Sequence, residues 1–248
     1  MVLENISVDC VIFGFDGENL NVLLWQPVLD IIKKFYRNEE DYKQISTLFH
    51  KNPFSTQKDV WGLIASHVPV NVDASQHAKH ILSSFTSLDN IYLRQVKAFT
   101  KTGRVPFQRV ITIAYYALIN PDFHLMKKVD AVKTLRWFNV KKMPALIFDH
   151  DEIIGEALER LRQEVRYHPV GFHLLPDQFT LTQLQTLYET ILDVELDTRN
   201  FRKKILNMKL LVDTDVKQKN VAHRAAKLYE FNIDIYNQLV RDGLNFRI

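Results

Sequence analysis

Two capped helices joined by a short turn, within residues 180–206, constrain the fold of this chain more than any other feature. Thr180 followed three residues later by Gln183 predicts a capping box, and Asp197 predicts the cap of a second helix. Only residues 193–196 separate the two segments. Apolar side chains recur at helical spacing in both, namely Leu181, Leu184, Leu187, Tyr188 and Ile191, then Phe201, Ile205 and Leu206. The pattern predicts a helix-turn-helix whose apolar faces turn inward.

Two short apolar runs, residues 210–212 and 228–231, predict the strands of a wing, with a polar loop over 213–227 between them. From Asp197 to Lys227 the chain carries nine Lys or Arg against three acids, a net charge of +6, so the rest of the +3 chain carries −3. A basic helix and wing on a weakly acidic body favour DNA, because phosphates attract Lys and Arg at any sequence. The alternative interpretation is an ordinary solvated face.

The exposed face of the second helix offers Arg and Asn side chains, which pair well with guanine and adenine edges. Basic side chains of the wing would contact the DNA backbone or the minor groove. The predicted DNA-binding residues are Thr198, Arg199, Asn200, Arg202, Lys203, Lys217, Lys219 and Arg224. One such helix per subunit suits two half-sites a helical turn apart, which predicts a homodimer on a double-stranded operator.

The remainder of the chain predicts a separate α/β domain. Residues 7–15 and 20–26 are apolar runs around a short polar turn, which predicts a β-hairpin. Residues 167–179 contain two prolines and show no clear period, so we interpret them as a linker that packs on the first domain. The predicted domains are therefore 1–166 and 167–248.

Two helices are predicted in the first domain. Asp73 with Gln76 caps a helix over 73–87, whose apolar stripe is Ala74, Ala78, Ile81, Leu82 and Phe85. The other helix begins near Asp149, with Glu152 as the reciprocal cap. Its buried face is predicted to comprise Ile153, Ile154, Ala157, Leu158, Leu161 and Val165.

Composition excludes some classes of protein. The single cysteine, Cys10, rules out a disulfide framework or a cysteine-based zinc site. The longest apolar stretches fall far below the ~18 residues that a transmembrane helix needs. We therefore expect a cytoplasmic protein without a membrane partner.

Residues 61–88, WGLIASHVPVNVDASQHAKHILSSFTSL, resemble the signature loop and helix of the Nudix hydrolases, which cleave nucleoside diphosphates linked to another group. In that family a Gly-Gly turn precedes a helix with an Arg-Glu-aliphatic-x-Glu-Glu-x-Gly run, whose glutamates bind divalent metal ions. An ungapped alignment places the two glycines on Ala65 and Ser66, the Arg on His80, the glutamates on Ile81, Ser84 and Phe85, and the last glycine on Ser87. The resemblance therefore implies a Nudix-like helix without its metal-binding carboxylates.

The flanking segments resemble one branch of the family, the Nudix-related bacterial transcriptional regulators, some controlling NAD biosynthesis and others arabinose use. VDCVIFGFDGENLNVLLWQ resembles the opening hairpin of that branch, and LRWFNVKKMPALIFDHDEIIGEALERLR its closing strand, loop and helix. FTLTQLQTLYETIL and LDTRNFRKKILNMKLL resemble its appended winged helix-turn-helix. The resemblance covers nearly the whole chain apart from residues 27–59, whose apolar spacing suggests one or two amphipathic helices.

The resemblance implies a Nudix-like α/β/α sandwich with a mixed sheet, followed by a small α+β winged helix-turn-helix domain. It implies a transcriptional regulator whose first domain senses a small effector, with a sugar or sugar derivative preferred over an ADP-ribose-like ligand, and hence a role in carbohydrate metabolism. Because the glutamates are absent, it also implies no catalytic residue, no metal ion, no cofactor and no enzymatic activity.

The predicted effector-binding residues are Trp61, Arg104, Arg109, Trp137 and Asp149. Each has an ordinary structural alternative: the tryptophans could lie in the core or at a rim, Arg109 at a strand edge, and Asp149 at a helix cap. His77 and His80, three residues apart, are expected to be two solvated histidines, because a third metal ligand is missing.

Two other functions remain open at this point. An active Nudix pyrophosphatase acting on a nucleotide sugar would require magnesium-dependent turnover. A non-catalytic protein-interaction scaffold would not require the basic side chains of the second helix.

Overall fold

The computed structural model describes residues 5–26, 61–86, 91–105, 108–120, 135–218, 225–242 and 246–248. Its strands are β1 (Ile6–Phe15), β2 (Leu20–Trp25), β3 (Ile64–His67), β4 (Tyr92–Phe99), β5 (Ile111–Ile119), β6 (Leu135–Asn139), β7 (Leu211–Lys217) and β8 (Lys227–Phe231). Its α-helices are α1 (Ala74–Thr86), α2 (His150–Tyr167), α3 (Leu181–Leu192), α4 (Thr198–Asn207) and α5 (Ile233–Arg241). The predicted helices over 27–59 lie outside the described residues.

A six-stranded sheet has β1 at its centre. The strand order is β4-β5-β1-β2-β6, and β3 pairs antiparallel with the first part of β1. Every residue of β1 after Ile6 is buried, as expected for a central strand. The predicted β-hairpin is confirmed. Its turn is fixed by Asp16, whose Oδ1 accepts hydrogen bonds from the backbone N–H groups of Glu18 and Asn19, and by Gly17 at a φ of 99°.

Both predicted helices of the first part of the chain are present as α1 and α2. Most of the predicted stripe residues are buried, but Ala74, Phe85 and Leu158 are only half-buried. His77 was expected to be solvated, and this is wrong: it is buried on α1 beside Ala78, whereas His80 is exposed. The two imidazoles stack with their centroids 6.5 Å apart.

The described contacts divide the chain into two compact units. One draws on residues 1–14, 21–118 and 124–157, and the other on 15–20, 119–123 and 158–248, so α2 contributes to both. The predicted domain boundary after residue 166 stays a prediction. No helix among the described residues is long and apolar enough to cross a bilayer.

The segment interpreted as a linker is part of the core of the second unit, so this interpretation is wrong. Pro169–Leu174 form a 3₁₀ helix in which all residues except His173 are buried. The ring of Phe172 stacks on Phe231 of β8 at 4.2 Å between centroids. Pro and Gly residues favour this tight turn over an α-helix, and the apolar side chains between them supply the packing. The sequence analysis also made no prediction for α5, which follows the wing.

Candidate nucleic-acid interface and effector cavity

The helix-turn-helix begins and turns as its sequence predicts. Thr180 Oγ1 accepts a 3.1 Å hydrogen bond from the N–H of Gln183, whose Oε1 accepts one of 2.8 Å from the N–H of Thr180. This is a complete capping box. Asp197 caps α4 by accepting a 2.8 Å bond from the N–H of Asn200. The left-handed residue Asp193, at φ 56°, ends α3.

Gln185 fixes the turn between α3 and α4. Its side chain is buried, and Nε2 lies 2.9 Å from Glu189 Oε1, 3.0 Å from the carbonyl of Leu196 and 3.1 Å from Thr198 Oγ1. The same Glu189 oxygen accepts the N–H of Leu196 at 2.9 Å. The sequence analysis missed this group. The available signal was a glutamine next to Leu184, inside the apolar stripe of α3.

The structure places most of the predicted DNA-binding residues of α4 on an exposed face. Arg199, Asn200 and Lys203 are exposed. Thr198 is also exposed, but its Oγ1 is engaged by Gln185. Arg202 turns towards α3: its Nη2 donates to Thr182 Oγ1 at 3.1 Å, and its Nε is buried without a partner among the described residues.

Leu206 corrects the predicted packing of α4. It was expected to face inward with Phe201 and Ile205, yet it is 43% exposed, whereas those two are 5% and 1% exposed. Successive residues of an α-helix lie about 100° apart, since 3.6 residues make one turn. Phe201 and Ile205 define the buried side, so Leu206 falls beside Arg199 and Lys203 instead.

The wing is an antiparallel pair, β7 and β8, and β7 runs further than the sequence analysis expected. It continues to Lys217, so the polar loop is shorter than 213–227. Lys217 is exposed at its end, whereas Lys219 and Arg224 lie outside the described residues. Lys227 is paired with Asp213 at 2.5 Å from Nζ to Oδ2. Within the described part of the wing, less basic charge is therefore available to bind DNA than the number of Lys and Arg residues suggests.

The first unit contains a cavity of about 820 Å³, counted with its open mouth. Its walls come from β1, β3, the segments before β5, and the start of α2. Its polar lining includes Asp9, Arg104, Asp149 and His150. Two of the predicted effector-binding residues, Arg104 and Asp149, therefore meet here although 45 positions separate them in the chain.

The other three predicted effector-binding residues do not line this cavity. Trp61 is buried and packs edge-on against Phe138, with centroids 4.7 Å apart. Trp137 is half-buried on β6, opposite Leu23, and Arg109 is exposed ahead of β5. Both oxygens of Asp149 accept hydrogen bonds from Arg104, at 2.7 and 2.8 Å.

A chain of hydrogen bonds runs along the floor of the cavity. Arg104 Nη1 donates to Thr112 Oγ1, which lies 2.6 Å from Ser7 Oγ, and Ser7 Oγ lies 3.3 Å from Asp9 Oδ1. On the other side His150 Nε2 lies 3.4 Å from Asp9 Oδ2. Because Ser7 Oγ donates to Asp9, Thr112 Oγ1 donates to Ser7, and both O–H groups point along the chain towards Asp9.

Burial shifts both titratable groups at the end of this chain. Desolvation raises the pKa of Asp9 from its ordinary 3.8 to about 7, although the nearby Arg104 guanidinium acts in the opposite direction. Desolvation also lowers the pKa of His150 to about 4. At neutral pH the imidazole is uncharged and the carboxyl group is close to its titration midpoint. Asp9 was not predicted from the sequence to belong to this cavity.

The helix α1 has the position of the Nudix helix but offers no carboxylate from Ala74 to Thr86. Ser84, at one former glutamate position, donates to the carbonyl of His80 at 2.8 Å. Ile81 is buried, and Ser87 lies outside the described residues. Among the described residues no group of three His, Cys, Asp or Glu side chains is placed to hold a metal ion.

Comparison with known proteins begins with the second unit. Residues 171–231 match the family model of the NrtR DNA-binding winged helix domain. Over 203 residues the chain is 30% identical to the ADPR responsive transcriptional repressor NtrR of Acinetobacter baylyi, a match that covers 79% of this chain and 80% of the relative. The chain belongs to the Nudix-related transcriptional regulators.

Solved structures match the fold of this chain over almost its whole length. NrtR of Shewanella oneidensis, in a crystal structure with a 27mer DNA, superposes with a TM-score of 0.71 at 24% identity, covering 94% of this chain and 95% of that one. A MutT/nudix family protein of Enterococcus faecalis superposes with a TM-score of 0.64 at 20% identity, covering 94% and 88%. The predicted Nudix-like α/β domain with a C-terminal winged helix is confirmed.

Proposed function

We propose that this regulator is a DNA-binding transcriptional repressor whose Nudix-like domain binds ADP-ribose, or a close relative of it, without hydrolysing it. The observation that carries the proposal is the exposed Arg199 and Lys203 face of α4, on a helix pair locked by Gln185. Both side chains lie on the same face, since they are four residues apart. Solvated basic side chains on a rigid helix can enter a major groove without first breaking internal contacts.

ADP-ribose replaces the free sugar that the sequence analysis preferred. The Acinetobacter baylyi relative is named for its response to ADPR. Among the described residues, two of the five N–H groups of the Arg104 guanidinium have no partner, and these suit an acceptor-rich ligand.

We expect no hydrolysis of ADP-ribose, because α1 lacks negatively charged ligands for metal ions. Pyrophosphate cleavage in this fold depends on carboxylate-bound metal ions that neutralise the developing negative charge. With serine, isoleucine and phenylalanine at the glutamate positions, α1 supplies no such ligand. A homodimer in the cytoplasm, binding two half-sites of one operator, is part of the same proposal.

The test is fluorescence anisotropy of the full chain on labelled DNA from its own upstream region, titrated with salt. We expect Arg199→Ala with Lys203→Ala to weaken binding at least tenfold and to flatten the salt dependence. The matched control removes two exposed charges elsewhere, Lys141→Ala with Lys142→Ala, and leaves binding unchanged. Equal losses in both variants would show a non-specific charge effect and contradict the proposed interface.

The effector half is tested by adding ADP-ribose to the preformed complex and by incubating the protein with ADP-ribose in excess magnesium. Release of DNA together with intact ADP-ribose is the expected result. Steady production of AMP would instead support a pyrophosphatase. DNA binding indistinguishable from that on random sequence would favour the scaffold alternative.

A further inference from the structure

Asp9 is a buried carboxyl group with few polar contacts at the cavity floor. It is 3% exposed, it accepts a 3.3 Å hydrogen bond from Ser7 Oγ, and His150 Nε2 lies 3.4 Å away. Good hydrogen bonds to oxygen measure about 2.7–3.0 Å, and a carboxylate offers about four acceptor positions. A buried carboxylate that lines a cavity and has one long hydrogen bond therefore has acceptor capacity left for a ligand.

The protons around Asp9 have a fixed direction. The N–H of Leu63 donates to His150 Nδ1 at 2.9 Å, so the imidazole proton lies on Nε2 and faces Asp9. From the other side, Ser7 Oγ donates to Asp9, so its oxygen is left to accept from Thr112, whose own oxygen accepts from Arg104 Nη1. The ionised carboxylate has no proton to give. A ligand atom that meets the ionised form of Asp9 must therefore donate.

The walls beside Asp9 suit a planar ring. Trp25 and Phe148 line the cavity together with aliphatic side chains such as Leu63 and Ile147. Trp25 is held in place because its Nε1 donates to the carbonyl of Leu63 at 2.6 Å. An adenine ring presents an exocyclic amine beside a ring-nitrogen acceptor on its polar edges. Hypoxanthine presents an oxygen acceptor in place of that amine and carries its nearest donor, N1–H, one position along the ring, so its donor reaches Asp9 only if the ring shifts in the cavity.

We propose that Asp9 is the specificity-determining residue of the cavity and accepts a hydrogen bond from the exocyclic amine of an adenine ring. This inference rests on the proposed function and names the end of the effector that enters the cavity. The cavity then takes adenine nucleotides and rejects their 6-oxo counterparts. A hydroxyl group of a free sugar can both donate and accept a hydrogen bond. A site built to bind such hydroxyl groups would therefore bind the adenine and the hypoxanthine nucleotide equally well.

The experiment is isothermal titration of the full-length protein with ADP-ribose and with its hypoxanthine analogue, inosine diphosphate ribose. We expect the wild type to bind ADP-ribose at least tenfold more tightly, because an acceptor against the carboxylate leaves both groups unpaired. Asp9→Asn can present either an amide oxygen or an amide N–H, so the two affinities should fall within about threefold of each other. The matched control, Asp151→Asn, lies outside the cavity and retains the wild-type ratio.

A second measurement does not depend on the variant folding. A donor hydrogen bond favours the ionised form of Asp9, so ADP-ribose binding to the wild type near pH 7 should release protons. The charged or titratable groups facing Asp9 are Arg104, Asp149 and His150, and His150 is already neutral at this pH. Calorimetric titrations with ADP-ribose in buffers of different ionisation enthalpy measure the number of protons released.

Four outcomes overturn the inference, and one of them also overturns the proposed function. Equal binding of the two nucleotides by the wild type removes Asp9 as a specificity determinant but leaves the effector proposal standing. Retained discrimination in Asp9→Asn, or the absence of proton release, does the same. Binding of neither nucleotide removes both proposals.

Discussion

The Nδ1 atom of His150 accepts a 2.9 Å hydrogen bond from the backbone N–H of Leu63, which holds the imidazole neutral and directs its other nitrogen at Asp9. A hydrogen bond between residues 87 positions apart thereby fixes which ring nitrogen of His150 carries the proton. The cavity is charged at one end by the Arg104–Asp149 pair and ends in a carboxyl group that titrates near pH 7.

The first prediction concerns Asp9 and pH. Its pKa is higher in the folded state, about 7, than in the unfolded state, so the folded protein holds the proton more tightly. The stability that this group contributes is fully present below its unfolded-state pKa of about 3.8, and it is lost progressively as the pH rises from there through 7. Asp9→Asn removes the titration, so it should gain about 1.4 kcal/mol relative to wild type between pH 6 and pH 8.

The measurement is the difference in melting temperature between variant and wild type at the two pH values. The titration of His150 is common to both proteins and cancels in the difference. A difference that is constant with pH would show that Asp9 is ionised throughout the range.

The second prediction concerns Gln185. Replacing it by alanine leaves Glu189 and the carbonyl of Leu196 without their side-chain donor, so the second unit should lose about 1–3 kcal/mol of stability. DNA binding should weaken as well, because the turn sets the position of α4. Melting curves and anisotropy are compared with Gln163→Ala, an exposed glutamine of α2. A Gln185 variant with unchanged DNA affinity contradicts a locking role.

The third prediction concerns Tyr188, whose ring is fully buried against Phe201 at 5.9 Å between centroids. Its hydroxyl has no hydrogen-bond partner within the described residues. Tyr188→Phe removes the cost of desolvating that hydroxyl and should stabilise the protein by about 1 kcal/mol, or roughly 2–4 °C in melting temperature. The exposed Tyr167→Phe serves as control and should change nothing. A loss of stability in Tyr188→Phe would show that the hydroxyl binds an internal water.

The fourth prediction separates two neighbours on α4. Ile205 is buried, so Ile205→Ala should cost about 2–5 kcal/mol through lost contacts and a cavity. Leu206 is 43% exposed, so Leu206→Ala should alter stability by less than about 0.5 kcal/mol. If Leu206 contacts DNA beside Arg199, the same variant should weaken operator binding while its melting temperature stays unchanged. Equal destabilisation by both substitutions would restore the inward packing that the sequence pattern predicted.

Local signals were accurate where neighbours in sequence determine the structure. The caps at Thr180 and Asp197 and the turn at Asp16 each depend on hydrogen bonds that span two or three residues, so the sequence contains both partners. Apolar spacing identified the buried sides of α1 to α3 for the same reason. The same spacing wrongly predicted that Leu206 is buried. The buried face of α4 is narrower than its run of apolar residues, so Leu206, the last residue of that run, lies outside the face.

Segments without a period were harder to interpret. Residues 169–174 lack helical spacing, and their proline and glycine suggested a linker, yet Phe172 is buried against Phe231. Phe231 lies 59 positions away in the chain, and no residue near Phe172 in the sequence indicates this contact. His77 is similar: its position on α1 could be read from the sequence, but its burial depends on what packs over that turn.

By itself the sequence determined the two architectures, the helix-turn-helix caps, the basic charge of the second helix and the absence of carboxylates on α1, because these are properties of short stretches of chain. Only the tertiary structure decided that Arg104 binds Asp149, that Trp61 packs in the core, and that Asp9 meets His150 at the floor of a cavity. Those relationships join strands and helices distant in the chain. Burial then sets the pKa values of Asp9 and His150, since removal of water is a property of the assembled fold and not of either residue.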